Sequence, residues 1–214
     1  MKILALSDVE LNYIYSPAVA NRFRDVQVVI SCGDLPHFYL EYVISMLDIP
    51  LYFVHGNHTG HEEQGSGILR SEPWGGKNLH LQALRDESGI LLAGIEGSLQ
   101  YNFGPHQYTQ GQMWLFAFGL VPKLLINKMR YGRYLDIFVT HAPPWKVHDM
   151  EDLPHRGAKA FRWVHRVFHP IFHIHGHVHV YRPDTVVESV VNGTRVVNAF
   201  GHREIDFDLL RKTP

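Results

Sequence analysis

Residues 171–179 read Ile-Phe-His-Ile-His-Gly-His-Val-His, a short apolar run that gives way, through a glycine, to two histidines in alternate positions. The same pattern recurs along the chain. Short apolar runs lie at Ile3–Leu6, Val26–Ile30, Leu51–Val54, Ile90–Ile95, Leu135–Val139 and Ile171–Ile174. Each is continuous rather than alternating, so each reads as a strand covered on both faces. Helices are expected over Ser16–Arg24, Phe38–Leu47, Gly111–Arg130 and Gly157–Phe168; in the last, Phe161, Val164 and Phe168 share near-helical spacing and Pro170 stops it. Near the end, Thr185–Val191 and Thr194–Phe200 flank Asn192-Gly193, a dipeptide suited to the positive φ values of a tight hairpin, and Ile205–Leu210 is a candidate final strand. Alternating αβ units followed by a β meander predict a layered α/β protein with sheets packed inside helices. With no repeat, low-complexity tract or linker, residues 1–214 read as one domain.

The chain has 214 residues, 45% hydrophobic and 19% charged, the balance of an ordinary globular protein. Its formal net charge of -1 provides no global field to recruit nucleic acid, and no basic stripe interleaved with aromatics marks a nuclease. One cysteine, Cys32, rules out an intrachain disulfide and fits a reducing, cytoplasmic compartment. The apolar stretch Met113–Ile126 is interrupted by Gly119, Pro122 and Lys123 and is shorter than the roughly 20 residues a membrane span needs. It reads as a buried or half-buried helix kinked near Pro122. Nothing in the sequence sets an oligomeric state.

Histidine is the composition figure out of line, at 16 residues, with six between His165 and His179 and three between His55 and His61. Five of the six apolar runs end in metal-ligand residue types. They give Asp8-Val9-Glu10, Gly33-Asp34, Gly56-Asn57-His58, His141-Ala142-Pro143 and Gly176-His177-Val178-His179. Singly, each has a plainer reading: an Asp after a strand caps a helix, an Asn after Gly makes a turn, a His beside a core strand is a hydrogen-bonded structural residue. Jointly they point to a site, because loops at the carboxyl ends of strands in an open α/β sheet converge. The mixture of carboxylate and imidazole suits Mn²⁺, Fe²⁺ or Zn²⁺ better than Ca²⁺.

Taken in order, these motifs resemble those of the calcineurin-like metallophosphoesterases: D-x-H, G-D, G-N-H-[DE], an isolated H, and G-H-x-H. The resemblance runs from residue 3 to about residue 200. It implies a four-layer α/β/β/α sandwich with two packed mixed sheets. It also implies two divalent metal ions, Mn²⁺ in first place with Fe²⁺, Zn²⁺ and Mg²⁺ as alternatives. On this resemblance Asp34 bridges the two metals, Asp8 and His179 hold one, and Asn57, His141 and His177 hold the other. His58 is then not a ligand but the group that protonates the leaving oxygen or stabilises phosphoryl charge.

Two positions depart from the family pattern. Glu10 stands where a histidine is usual; a carboxylate is a harder ligand, so it is expected to coordinate and to favour Mn²⁺, Fe²⁺ or Mg²⁺. Thr59 stands where an acidic residue would orient His58, which leaves His55, His61 and Glu62 as substitute partners. Outside the motifs, Arg156 is a candidate for bidentate contact with substrate phosphate. His173 and His175 share one strand face as either supporting or purely structural residues, and Cys32 is expected to be buried and inert. The functional expectation is phosphoester hydrolysis, phosphodiesters first. A phosphomonoesterase or protein phosphatase, and a metal-binding scaffold with reduced catalysis, are the alternatives.

Overall fold

All six apolar runs become strands or strand ends lined by buried residues. The computed structural model describes residues 1–58, 62–63 and 69–208. Its elements are β1 (Lys2–Ser7), α1 (Ala18–Arg22), β2 (Val26–Ser31), α2 (His37–Leu47), β3 (Leu51–Phe53), β4 (Glu62–Glu63) and β5 (Leu69–Arg70). Next come β6 (Gly76–Asn78), β7 (Ala83–Arg85), β8 (Leu91–Ile95), β9 (Ser98–Leu99), β10 (Gln107–Tyr108), α3 (Gln110–Tyr131) and β11 (Ile137–Thr140). The chain continues with α4 (Lys159–Phe168), β12 (Phe172–His175), β13 (Glu188–Val191), β14 (Thr194–Asn198) and β15 (Gly201–Asp206).

Two mixed sheets carry the architecture. One has the order β15-β1-β2-β3-β6, the other β13-β14-β12-β11-β8-β7. Within them β1, β2 and β3 run parallel, as do β8, β11, β12 and β14. Continuous apolarity follows from the layering. Ile3, Ala5, Val28 and Ile30 of the first sheet meet Leu92, Ile137, Val139 and Ile174 of the second in a shared core. The alternate residues Leu4, Leu6 and Val29 pack under Val19, Tyr39 and Val43 of α1 and α2. On the far side Phe138 packs with Ala117, Leu120, Phe161 and Val164 of α3 and α4. Helix, sheet, sheet, helix is thus the order of layers, as the resemblance implied.

Element ends have local causes. Thr109 accepts from the Gln112 amide while the Gln112 side chain accepts from the Thr109 amide, a capping box that starts α3 one residue early. Gly132, at φ 76°, closes the helix, which runs on through Pro122 as one element. The predicted hairpin forms, with Asn192 and Gly193 at φ 52° and 81° between antiparallel β13 and β14. The final strand starts at Gly201 rather than Ile205, because antiparallel pairing with β1 runs the full length from Ser7–Gly201 to Lys2–Asp206. Residues 209–210 of the expected strand lie outside the described residues. Strands β4 to β7, β9 and β10 are two or three residues long, too short to leave a periodic signal. Among the described residues no helix is long and apolar enough to cross a membrane.

Candidate metal centre

The carboxyl ends of β1, β2 and β3 in one sheet, and of β11 and β12 in the other, open at the same edge. Backbone bonds tie neighbouring loops within each sheet: Asp8 N–H donates to Gly33 O at 3.2 Å and Gly176 N–H to His141 O at 3.1 Å. Three site residues turn sharply out of their strands with positive φ, Asp8 at 67°, Asp34 at 55° and His177 at 69°. Left-handed backbone at non-glycine residues costs energy, and such strain collects at functional sites. Two glycines are required by close approach. A Cβ on Gly56 would run into the Asp34 carboxylate, and one on Gly176 into the Ser7 hydroxyl.

The side chains then meet. The Asp34 Oδ2 lies 3.2 Å from His141 Nε2, and its Oδ1 accepts the His58 amide N–H at 2.9 Å. The same His141 Nε2 is 2.9 Å from Asn57 Oδ1 and 3.1 Å from His177 Nδ1. Ligand atoms of Asp8, Asp34 and His141 all lie within 4.8 Å of one another. Asp8 receives the His177 amide on both oxygens, at 3.1 and 3.0 Å, and His179 Nε2 stands 4.0 Å from Asp8 Oδ1.

Tautomers show what this cluster lacks. His141 Nδ1 donates to the Cys32 carbonyl at 2.7 Å, and His177 Nε2 donates to the Pro154 carbonyl at 2.7 Å. In the neutral rings the opposite nitrogens, His141 Nε2 and His177 Nδ1, therefore carry lone pairs. Those lone pairs face each other and the oxygens of Asn57 and Asp34, so four acceptors converge with no donor among them. Such a set needs a cation at its centre, and its nitrogen and oxygen composition fits a borderline divalent metal.

The electrostatics agree. Burial opposes protonation of His141, yet Asp34, Asp8 and the Cys32 carbonyl raise its pKa to about 9, so the metal-free site recruits a proton instead. Burial alone would raise the Asp34 carboxyl, but His141 beside it and the His58 amide hold it well below the ordinary range. Burial pushes Asp8 up, partly offset by His141. His177 is lowered to about 3 by burial and then by His141.

Other expected site residues stand apart. Glu10 is exposed and outside the group, close enough to Tyr39 for its charge to raise that hydroxyl's pKa, behind the larger effect of burial. His58 is exposed at the mouth of the site, touching Asp34 through its backbone amide. Thr59 and His61 lie outside the described residues, as does the side chain of Glu62. His55 is no substitute partner for His58, since its Nδ1 meets Glu96 at 3.1 Å and its Nε2 donates to the Ser71 carbonyl at 2.8 Å. Arg156 is exposed and donates to the Glu151 carbonyl at 3.0 Å within its own loop.

Several contributors had no sequence signal. Tyr101 Oη accepts from Asn57 Nδ2 at 3.0 Å, which leaves Asn57 Oδ1 turned to the cluster. The ring of His155 lies 5.2 Å from that of His177. Beneath the loop carrying Asn57, buried Glu96 gathers His55, His106 and the Tyr108 hydroxyl, the last two at 3.0 and 2.6 Å. Those donors hold the Glu96 carboxyl low despite burial. His173 and His175 turn out to be parts of buried hydrogen-bonded chains, His173 with Thr140 and His165 and His175 with His148, all four histidines kept neutral chiefly by burial. Cys32 is buried, its thiol pushed up by burial.

Comparison with known proteins places this architecture. One crystal structure matches with a TM-score of 0.65 at 16% identity, covering 96% of this chain and 94% of its own. The crystal structure of TT1561 from Thermus thermophilus matches with a TM-score of 0.57 at 15% identity, covering 94% and 89%. At such identities the likeness is one of fold. No curated protein matches the chain. Residues 1–181 match the family described as calcineurin-like phosphoesterase, and that span contains every loop of the candidate centre. With fold, motif order and the convergent acceptors in agreement, the chain belongs to the calcineurin-like phosphoesterases.

Proposed function

We propose that this protein hydrolyses phosphoesters, phosphodiesters first, at a centre of two divalent metal ions. The observation that carries this reading is the convergence of His141 Nε2, His177 Nδ1, Asn57 Oδ1 and Asp34 Oδ2, a set that holds no donor once both rings are neutral and a metal has displaced the His141 proton. Asn57, His141 and His177 form one ligand group, Asp8 and His179 the other, and Asp34 lies between them. Bound there, such ions supply Lewis acidity and positive charge for phosphate oxygens. The chain does the rest. Tyr101 fixes the face of Asn57, the carbonyls of Cys32 and Pro154 fix the tautomers of His141 and His177, and Asp8 pins the His177 backbone. His58, exposed at the mouth, delivers a proton to the leaving oxygen. Arg156, in the loop beside His155, meets the non-reacting part of an anionic substrate.

The test is the rate on bis(p-nitrophenyl) phosphate and on p-nitrophenyl phosphate with Mn²⁺, together with metal content per chain. His58→Ala should lose about 10²- to 10⁴-fold in rate with metal retained, because its backbone and not its ring holds Asp34. Asp34→Asn should lose metal as well. Metal-replete protein inert toward a broad panel of diesters and monoesters would sink the reading. Glu10 standing outside the cluster favours one second reading, a site with a single tightly held ion and reduced catalysis; less than two ions per chain would select it.

A further inference from the structure

Helix α3 is apolar on both faces. Met113, Ala117, Leu120 and Leu124 are buried against the second sheet. On the opposite face Leu115, Phe118, Leu125, Ile126 and Met129 stand 41–78% exposed. Leu115, Phe118, Pro122, Leu125 and Met129 alternate steps of three and four residues, so they form one stripe along the helix. The stripe continues onto α4 through Trp163, whose ring lies 5.1 Å from Phe118 and 5.8 Å from Trp114, and on to exposed Val167.

Charge on these two helices is one-sided. They carry Lys123, Lys128, Arg130, Lys159, Arg162 and Arg166 and no acidic residue. The remainder of the chain has 14 bases (20 − 6) against 21 acids. Lys123, Arg162 and Lys128 are turned onto local acceptors, Leu81 O with the Gln82 side chain, Trp145 O, and Gly132 O. Lys128, Arg130, Lys159 and Arg166 are exposed, and among the described residues none pairs with a carboxylate. Lys159, Trp163, Arg166 and Val167 fall on one face of α4, and Pro122, Ile126 and Arg130 on one row of α3.

We propose that this face of α3 and α4 docks on an anionic lipid surface, lying in the headgroup region without spanning it. An exposed apolar stripe with aromatic residues and an acid-free basic rim is the composition of an interfacial helix. Charge selects the occupant. Face-to-face pairing with a second copy would set one basic face against another, whereas anionic headgroups supply the missing negative charge along the whole apolar stripe. The inference stands apart from the catalytic reading, since none of these residues belongs to the metal centre.

Flotation of the full chain with vesicles tests it. Vesicles of phosphatidylcholine mixed with phosphatidylglycerol should carry the protein up the gradient, and pure phosphatidylcholine vesicles should not. Phe118→Asp and Leu125→Asp should each lower partitioning at least about tenfold, losing a buried apolar group and adding repulsion. Arg130→Glu and Arg166→Glu should each lower it by about fivefold or more, and added salt should do the same. Leu125, Arg130 and Arg166 are exposed, so thermal melts of those variants should match the parent; Phe118→Asp also loses ring contacts with Trp114 and Trp163 and should melt lower while remaining folded. Absence of flotation by folded protein, or equal flotation by the variants, overturns the proposal. So does a dimer in light scattering that Phe118→Asp disrupts without any vesicle binding, which gives the face to a second copy.

Discussion

Metal-free protein should lose stability as pH rises from 6.5 to about 9, and His141 is the cause. Its ring is fully buried, donates Nδ1–H to the Cys32 carbonyl and holds its second proton against Asp34 at 3.2 Å. A folded-state pKa raised above the unfolded value means that the native state binds the proton more tightly. The contribution is therefore complete below the unfolded pKa and disappears as pH passes through the folded one. The rise from 6.5 to about 9 corresponds to about 3 to 4 kcal/mol at about 1.4 kcal/mol per unit, an order-of-magnitude figure. Histidines lowered by burial, such as His165, His175 and His177 at about 3, do not interfere, because they cost stability only as pH falls below 6.5. His55, raised by Glu96 against the opposing effect of burial, acts in the same direction. The assay is urea unfolding of chelator-treated protein across that range, for the parent and for His141→Gln. The difference between their slopes isolates His141. A divalent metal should abolish that difference, and its affinity should climb with pH in the same interval as it displaces the proton. Equal slopes for parent and variant, or an affinity independent of pH, would refute the reasoning from converging acceptors.

Three further outcomes are expected. Tyr101→Phe removes the acceptor for Asn57 Nδ2 and should weaken metal binding about 10- to 100-fold in a competition titration, with little change in melting temperature. Gly56→Ala drives a methyl into the Asp34 carboxylate and should lower both metal content and thermal stability, whereas the same change at solvent-facing Gly193 should leave metal content untouched. Glu10→Ala should retain the metal content of the parent, since Glu10 stands exposed outside the cluster; loss of an ion on that substitution would show that Glu10 swings in to ligate.

A good part of this protein is legible in its residues. The runs at Ile3–Leu6, Val26–Ile30 and Leu135–Val139 are short and apolar at successive positions, as strands covered on both faces are, so a layered α/β protein is legible in them, while the four-layer sandwich came with the family resemblance. Asn192-Gly193 marks its hairpin because few dipeptides tolerate two positive φ values. Asp8, Asp34, Asn57, His141, His177 and His179 stand out because ligand types recur at strand ends, where parallel topology makes loops converge.

What the tertiary structure alone decided is the use made of each group. Imidazole serves equally as metal ligand and as buried hydrogen-bonding residue, so the cluster from His165 to His179 does not announce its division. Packing sends His173 and His175 towards Thr140, His165 and His148, and brings His177 to His141 and His179 to within 4.0 Å of Asp8. The carbonyls of Cys32 and Pro154 fix two tautomers, yet any residue type offers a carbonyl. Tyr101 reaches Asn57 across 44 residues of chain, a pairing no local pattern encodes. Glu10 has the chemistry of a ligand, but its place in the structure is on the surface near Tyr39. Composition sets which groups are able to act; the folded distances, reached through contacts remote in sequence, set which of them meet.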